Sequence, residues 1–224
     1  MAPEKGKPAP ARLSKSEVEE VYGRLSTNYD RWASLAESRA RDRCLELAAV
    51  RDGESVLEVA VGTGEAFERI LRSNPRGRNE GIDLSEGMLQ IARGKAERTG
   101  LENFSLRVGD AYSLDYPENT FDVLVNMYMF DLLPEEDFPL ILAGFLRVLR
   151  PGGRLSLLSM TRGNPVFNFL WDSILRLNPA WLGGCRAVHL KPYVDAAGFV
   201  GTKAEFISQL GFPSEVVYGV KPGS

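Results

Sequence analysis

The sequence is poor in the residues that most often announce chemistry. Among 224 residues there are two cysteines, Cys44 and Cys185, and one histidine, His189. Two thiols make neither a disulfide framework nor a four-ligand zinc site, so the composition predicts a reduced, cytoplasmic protein with no metal. No apolar run approaches the ~20 residues that span a bilayer. The opening MAPEKGKPAP also lacks the apolar core of a signal peptide. Basic residues are not in surplus: 27 Lys and Arg against 30 Asp and Glu give a formal charge of −3, which argues against a nucleic-acid partner. What is present suits a folded domain, because 44% hydrophobic residues can fill a core without staples.

Residues 1–13, with three prolines and no apolar period, read as a flexible tail. Residues 14–224 read as one domain. Residues 14–50 should form N-terminal helices: Ser14-Lys15-Ser16-Glu17 resembles a capping box ahead of Val18, Val21, Tyr22 and Leu25, and a longer helix runs from Trp32 to Val50. Strands and helices then alternate. Strands are expected at Ser55–Val61, Asn79–Asp83, Phe104–Val108, Phe121–Met127 and Arg154–Met160, and helices at Glu65–Ser73, Ser85–Arg98 and Glu135–Leu149. Such alternation predicts an α/β fold with a doubly wound, mostly parallel sheet and right-handed crossovers. Residues 161–187 break the rhythm and read as irregular helices inserted after the fifth strand. A short helix at Lys191–Ala197 precedes two strands, Phe199–Ser208 and Ser214–Val220. About five residues join them, as an antiparallel hairpin.

The most informative segment is Val56-Leu57-Glu58-Val59-Ala60-Val61-Gly62-Thr63-Gly64. It sets two glycines where a strand hands over to a helix, and there the main chain can turn sharply and meet a ligand closely. Asp83 ends the second strand, where a carboxylate accepts from ribose hydroxyls, or alternatively caps the next helix. Asp110 follows the third, where it accepts from the amine of a base or merely starts a turn. A dinucleotide site would want glycine at Phe67, and Glu65 would repel a pyrophosphate. A phosphate-free nucleoside is therefore favoured. S-adenosylmethionine fits: it is cationic, and Glu58 can hold its ammonium, unless Glu58 partners a nearby donor instead.

These segments resemble the class I S-adenosylmethionine-dependent methyltransferases. The likeness is carried by Leu57–Gly64, Gly81-Ile82-Asp83-Leu84-Ser85-Glu86-Gly87-Met88-Leu89, Gly109-Asp110-Ala111, Asn119–Val123 and Arg147-Val148-Leu149-Arg150-Pro151-Gly152-Gly153. Tyr29-Asp30-Arg31-Trp32 and Gly198-Phe199 bring it nearest the ubiquinone and menaquinone biosynthesis group. The resemblance implies a Rossmann-like sheet of seven strands. It also implies cofactor contacts from Gly62, Thr63 and Gly64, ribose binding by Asp83, adenine packing by Leu84 and Met88, and reading of the amine edge by Asp110 and Ala111. Asn126 would border the methyl donor through its backbone, and Tyr29 would close over the cofactor. Ala60 stands where the family usually has glycine.

For the acceptor the sequence offers candidates with two readings each. His189 is a general base near neutral pH, or a solvated or packed ring. Tyr22, Tyr29 and Tyr128 orient a hydroxyl or carbonyl, or simply pack. Phe167 and Trp171, within the apolar stretch 164–171, lid a greasy pocket or belong to the core. Arg162, Arg186 and Lys191 meet an acidic group or stay solvated, and Cys185 is small buried filler. The expected function is methyl transfer to a small, largely apolar acceptor such as a phenol or quinone precursor. Phosphatidylethanolamine N-methylation, with peripheral membrane contact, and a non-catalytic nucleoside-binding module are the alternatives.

Overall fold

The computed structural model describes residues 29–177 and 185–223. Tyr22 and the helix expected after Ser14 lie outside them. A single sheet holds seven strands: β1 (Ser55–Val59), β2 (Arg78–Asp83), β3 (Phe104–Val108), β4 (Phe121–Met127), β5 (Leu149–Met160), β6 (Val200–Gln209) and β7 (Phe212–Val220). Their spatial order is β3-β2-β1-β4-β5-β7-β6. The first five are parallel, and β7 enters antiparallel between β5 and β6. This is the Rossmann-like doubly wound sheet with a reversed hairpin that the sequence predicts.

Helices cover both faces, which is why the central strands are apolar on both sides. Helices α1 (Tyr29–Ala48), α2 (Glu65–Ser73) and α3 (Glu86–Glu97) pack on one face. There Cys44, Ile70, Val123, Val125 and Leu158 are buried together, and Phe67, Leu89 and Leu106 form a neighbouring cluster. Helix α4 (Phe138–Val148) and the short α6 (Lys191–Ala196) cover the other face over Leu57, Leu124, Phe130, Phe145 and Leu157. Helix α5 (Pro165–Leu177) follows β5.

Local chemistry explains most of the boundaries. Ser85 caps α3, its hydroxyl accepting from the Met88 amide at 3.3 Å. Gly100, at φ +74°, ends the same segment. Three differences from the sequence reading stand out. Strand β1 stops at Val59 because Ala60 is left-handed at φ 58°. Within residues 161–187 the expected helical character holds, but α5 is one regular helix of 13 residues rather than irregular helices. The hairpin loop is two residues, not five: Leu210 and Gly211 both have positive φ, at 50° and 83°, the geometry that matches strand twist, and Pro213 lies within β7.

Candidate functional site

Strand order reverses between β1 and β4, so the crevice outside their carboxyl ends is where an open α/β sheet binds its ligand. The glycine turn lies there. A Cβ built on Gly62 would meet nothing within 4 Å, so the crevice over this backbone is open. Gly64 is packed tightly instead: at φ +83° its Cβ would sit 2.8 Å from Ala92 of α3. The first glycine thus leaves room for a ligand, and the second lets two helices approach.

Asp83 ties the turn together. Its carboxylate accepts from the Gly62 amide at 2.8 Å and from the Ser85 amide at 2.9 Å. Those bonds orient it at the mouth of the crevice, and each carboxylate oxygen can accept more than one hydrogen bond. Leu84 is half-buried and Met88 buried beside it, on the side where a base would pack. Asp110 accepts from the Tyr112 amide at 3.0 Å, Ala111 is buried next to it, and the Tyr112 hydroxyl donates to Asp137. The end of β2 and the turn after β3, adjacent strands of the sheet, supply these groups.

Glu58 is the most telling residue. It is 2% exposed, and its Oε2 has no hydrogen-bond partner. Burial pushes its carboxyl well above the usual range; Arg41 opposes this and Asp83 adds to it. A buried carboxyl oxygen without a donor is costly, and such groups are rare outside functional sites. Arg41 itself, on α1, pairs with Glu37 at 3.1 Å. Burial drives Glu37 up to about 7, against the pull of Arg41 and with a push from Asp131. Asn126, fully buried at the end of β4, donates from Nδ2 to the Val59 carbonyl at 2.8 Å and bridges the switch point, while its Oδ1 is unpaired.

This donor set suits a phosphate-free adenosyl cation. An orphaned carboxyl, an open glycine turn and a pre-oriented Asp83 match an ammonium, a methionine chain and a ribose. One argument against a pyrophosphate changes. Glu65 is neutralised by Lys95 at 2.5 Å, so repulsion from Glu65 no longer counts. Phe67 still does, since its ring is fully buried edge-on to Phe104 where a third glycine would be needed.

Beyond β4 and β5 lies an aromatic cluster. Phe167 stacks on Trp171 at 5.2 Å, and Trp171 meets Phe212 edge-on at 5.7 Å. Trp171 Nε1 donates to the Cys185 carbonyl. Tyr128 packs against the same group, held at a left-handed φ of 53° with its hydroxyl 2.9 Å from Ser214. Strain of this kind persists where the surroundings over-determine it, typically at sites. Phe167, Trp171 and Tyr128 are thus brought together. His189 stands apart from that cluster: its side chain is 70% exposed and its Nδ1 lies 3.0 Å from Glu215. Arg186 is tied to Glu135 and the Leu133 carbonyl, and Lys191 to Asp195. Tyr29 opens α1.

The sequence reading missed Glu37, Arg41, Asp131 and Phe212. Asp131 had a signal: it is the lone acid in the apolar run from Val123 to Leu133. The other three reach the site through tertiary packing, which spacing alone does not reveal.

Residues 56–153 match the family model described as a methyltransferase domain. A ubiquinone/menaquinone biosynthesis C-methyltransferase from Saccharophagus degradans is 38% identical over 200 residues, covering 80% of this chain and 79% of its own. The demethylmenaquinone methyltransferase of Listeria welshimeri is 31% identical over 155 residues, 67% of this chain, and the match spans 65% of that relative's length. Among solved structures, a (4+2)-cyclase, SpnF, superposes with a TM-score of 0.77 at 19% identity, covering 96% of this chain and 98% of its own. The magnesium protoporphyrin IX methyltransferase of Synechocystis PCC 6803, with bound S-adenosylhomocysteine, gives 0.72 at 16% identity, covering 92% and 99%. At such identities the two structures attest the fold alone, and one fold hosts more than one chemistry.

Proposed function

This chain belongs to the class I S-adenosylmethionine-dependent methyltransferase family, related to the ubiquinone and menaquinone biosynthesis group, and from that premise we propose that it methylates a small, largely apolar acceptor of the phenol or quinol type. One observation carries the acceptor class: the cluster of Phe167, Trp171, Phe212 and Tyr128 packs on Met160 at the carboxyl ends of β4 and β5, the same edge of the sheet as the glycine turn after β1. A flat ring fits among such side chains by offset or edge-on contact.

S-adenosylmethionine is the cofactor, and it supplies a methyl carbon already activated by positive sulfur. The chain's own residues bind, align and exclude water. Asp83 accepts the ribose hydroxyls, Leu84 and Met88 flank the base, and Asp110 with Ala111 meets its amine edge. Gly62, Thr63 and Gly64 pass close along the methionine chain. Glu58 takes the ammonium, and Arg41 sits where a carboxylate can share it with Glu37. Asn126 fixes the spacing of β1 and β4 under the reacting centre, and the strained Tyr128 faces the acceptor side. Alignment of this kind contributes several kcal/mol, up to roughly 7–11 in ideal cases.

The phospholipid alternative would need a cationic headgroup site. Of its candidates Arg162, Arg186 and Lys191, the last two are engaged by Glu135 and Asp195 instead. Among the described residues, no helix is long and apolar enough to cross a membrane. The test is a radiolabelled methyl-transfer assay on a panel of phenols, naphthohydroquinones and phosphatidylethanolamine vesicles. Transfer to the ring compounds is expected. Transfer to the vesicles alone overturns the acceptor class, and tight cofactor binding without any turnover favours the non-catalytic module.

A further inference from the structure

Just beyond Tyr128 the chain makes a single 3-10 turn, Phe130–Leu132, and buries an acid in it. Asp131 is 0% exposed, and neither carboxyl oxygen has a hydrogen-bond partner of ordinary geometry. It is not alone. Ser159 Oγ, Thr161 Oγ1 and Arg186 Nε are also buried and unpaired, and all three come from the carboxyl end of β5 or the segment beside it. The Arg186 amide donates to the Asp131 carbonyl at 3.0 Å, which joins the two segments. The next residue, Leu132, packs on the cluster of Met160, Cys185, Phe212, Phe167 and Trp171. A fully buried acid and a buried guanidinium nitrogen therefore lie close together at the edge of the aromatic slot.

Native interiors leave few such atoms unmatched, and a concentration of them marks where a polar ligand group belongs. We propose that Asp131 is the proton acceptor for methyl transfer, and that the acceptor, lying in the aromatic slot, presents a hydroxyl toward it beside Arg186. This rests on the reading of the chain as a methyltransferase of ring hydroxyl compounds, and it names the base of that same site. Atoms balance as follows. The acceptor oxygen bonds the methyl carbon while the carbon–sulfur bond breaks, its electron pair staying on sulfur. The hydroxyl proton passes to an Asp131 oxygen and leaves to solvent when the products depart.

The surroundings suit that role. Burial raises the Asp131 carboxyl to about 7, against its own amide, the Met160 amide, Arg186 and the Cys185 thiol, which lower it. The charged and titratable groups facing it are Glu37 from α1, Tyr128 just after β4, and Cys185 with Arg186 from the segment after α5. A base poised near neutrality is the most effective one at neutral pH. His189 is the other candidate, but its ring is largely in solvent and held by Glu215.

The test uses full-length protein, S-adenosylmethionine and a short-chain naphthohydroquinone. Asp131→Asn keeps the shape and is expected to lower kcat by roughly 10²–10⁴-fold with cofactor affinity unchanged. The wild-type kcat should rise with pH through about 7 and flatten above it, and this limb should vanish in Asp131→Asn. Two readouts do not depend on turnover. Difference infrared spectra with labelled aspartate should show a protonated carboxyl that titrates near 7 and is missing in the variant. The variant's Tm should be unchanged or higher, because an unpartnered buried acid has been removed. The assignment falls if Asp131→Asn retains its rate and pH limb, if the limb disappears in His189→Ala instead, or if the labelled carboxyl is already ionised at pH 5. Wild-type inactivity on every ring compound overturns the acceptor reading and the base assignment with it, whereas a wild type that turns over while Asp131→Asn keeps its rate overturns the base assignment alone.

Discussion

At the amino ends of the strands nearly every polar group has a partner; at the carboxyl ends many do not. Asn74 shows the first condition. Its side chain accepts from Gly53 and donates to Glu54 and to Asn79, while Asn103 reaches back to the carbonyls of Asn74 and Gly77. The fit is so close that a Cβ on Gly77 would lie 2.1 Å from Asn74 Oδ1. Asp122 accepts from the Ser55 amide and from Arg150, and Arg154 joins Glu54 to the end of α1. At the other end Glu58, Asn126, Asp131, Ser159, Thr161 and Arg186 all keep unpaired atoms, whereas Asn103 and Tyr116 account for the remainder among the described residues. One edge has been built for stability and the other for a guest.

Substitutions at the two edges should therefore do different things. Asn74→Ala strips hydrogen bonds from several buried partners and should cost roughly 2–4 kcal/mol of stability, at about 1–3 for each group left unmet. Urea unfolding measures it, and cofactor affinity in the folded fraction should not change. Glu58→Gln should do the reverse, weakening S-adenosylmethionine binding by roughly 1.5–3 kcal/mol, the range for a bond to a charged group, while the apo-protein gains stability. Calorimetry and thermal melts together check that pair. Asp83→Ala should weaken binding by roughly 1–3 kcal/mol; unchanged affinity would place the ribose elsewhere. The smallest effect is at the turn. Ala60→Gly relieves a left-handed alanine and should stabilise the protein by about 1 kcal/mol, read from its thermal melt.

The same contrast has a signature in pH. Glu37 and Asp131 hold protons up to about 7 in the folded protein, and Glu58 is shifted the same way, whereas their unfolded counterparts ionise near pH 4 to 4.5. Between those limits the folded state binds more protons, so stability should fall as pH rises from 5 to 7. A Tm that climbs across this range would contradict the buried acids. Binding the cationic cofactor favours ionised Glu58, whose carboxyl burial has raised, so affinity should strengthen as pH rises, with proton release seen as a buffer-dependent binding enthalpy.

Legibility in the sequence divides along similar lines. Strands β3 and β4 and helix α2 have the bounds that the sequence predicts, because each apolar pattern is closed by a local signal such as Asn74-Pro75 or the residues flanking Phe121. The apolar pattern of β1 continues through Ala60 and Val61, but the left-handed backbone at Ala60 belongs to the ligand turn and does not follow from propensity. Leu210-Gly211 lacks the Asn-Gly signature of a tight hairpin, so composition alone suggests a longer loop than the chain makes. The cofactor side is readable because its contacts are backbone-based and contiguous. The acceptor side is not: Phe212 meets Trp171 across 41 positions, and only packing shows that the acid at Asp131 is buried rather than solvated.

The reversal of β7 carries a practical corollary. Because that strand runs against its neighbours, the polypeptide leaves the sheet at Lys221, whose ammonium caps the Leu149 carbonyl and whose backbone zips to Gly152 and Gly153. That exit lies on the far side of the molecule from the glycine turn. An affinity handle or surface tether attached beyond it would leave the mouth of the crevice facing free solution.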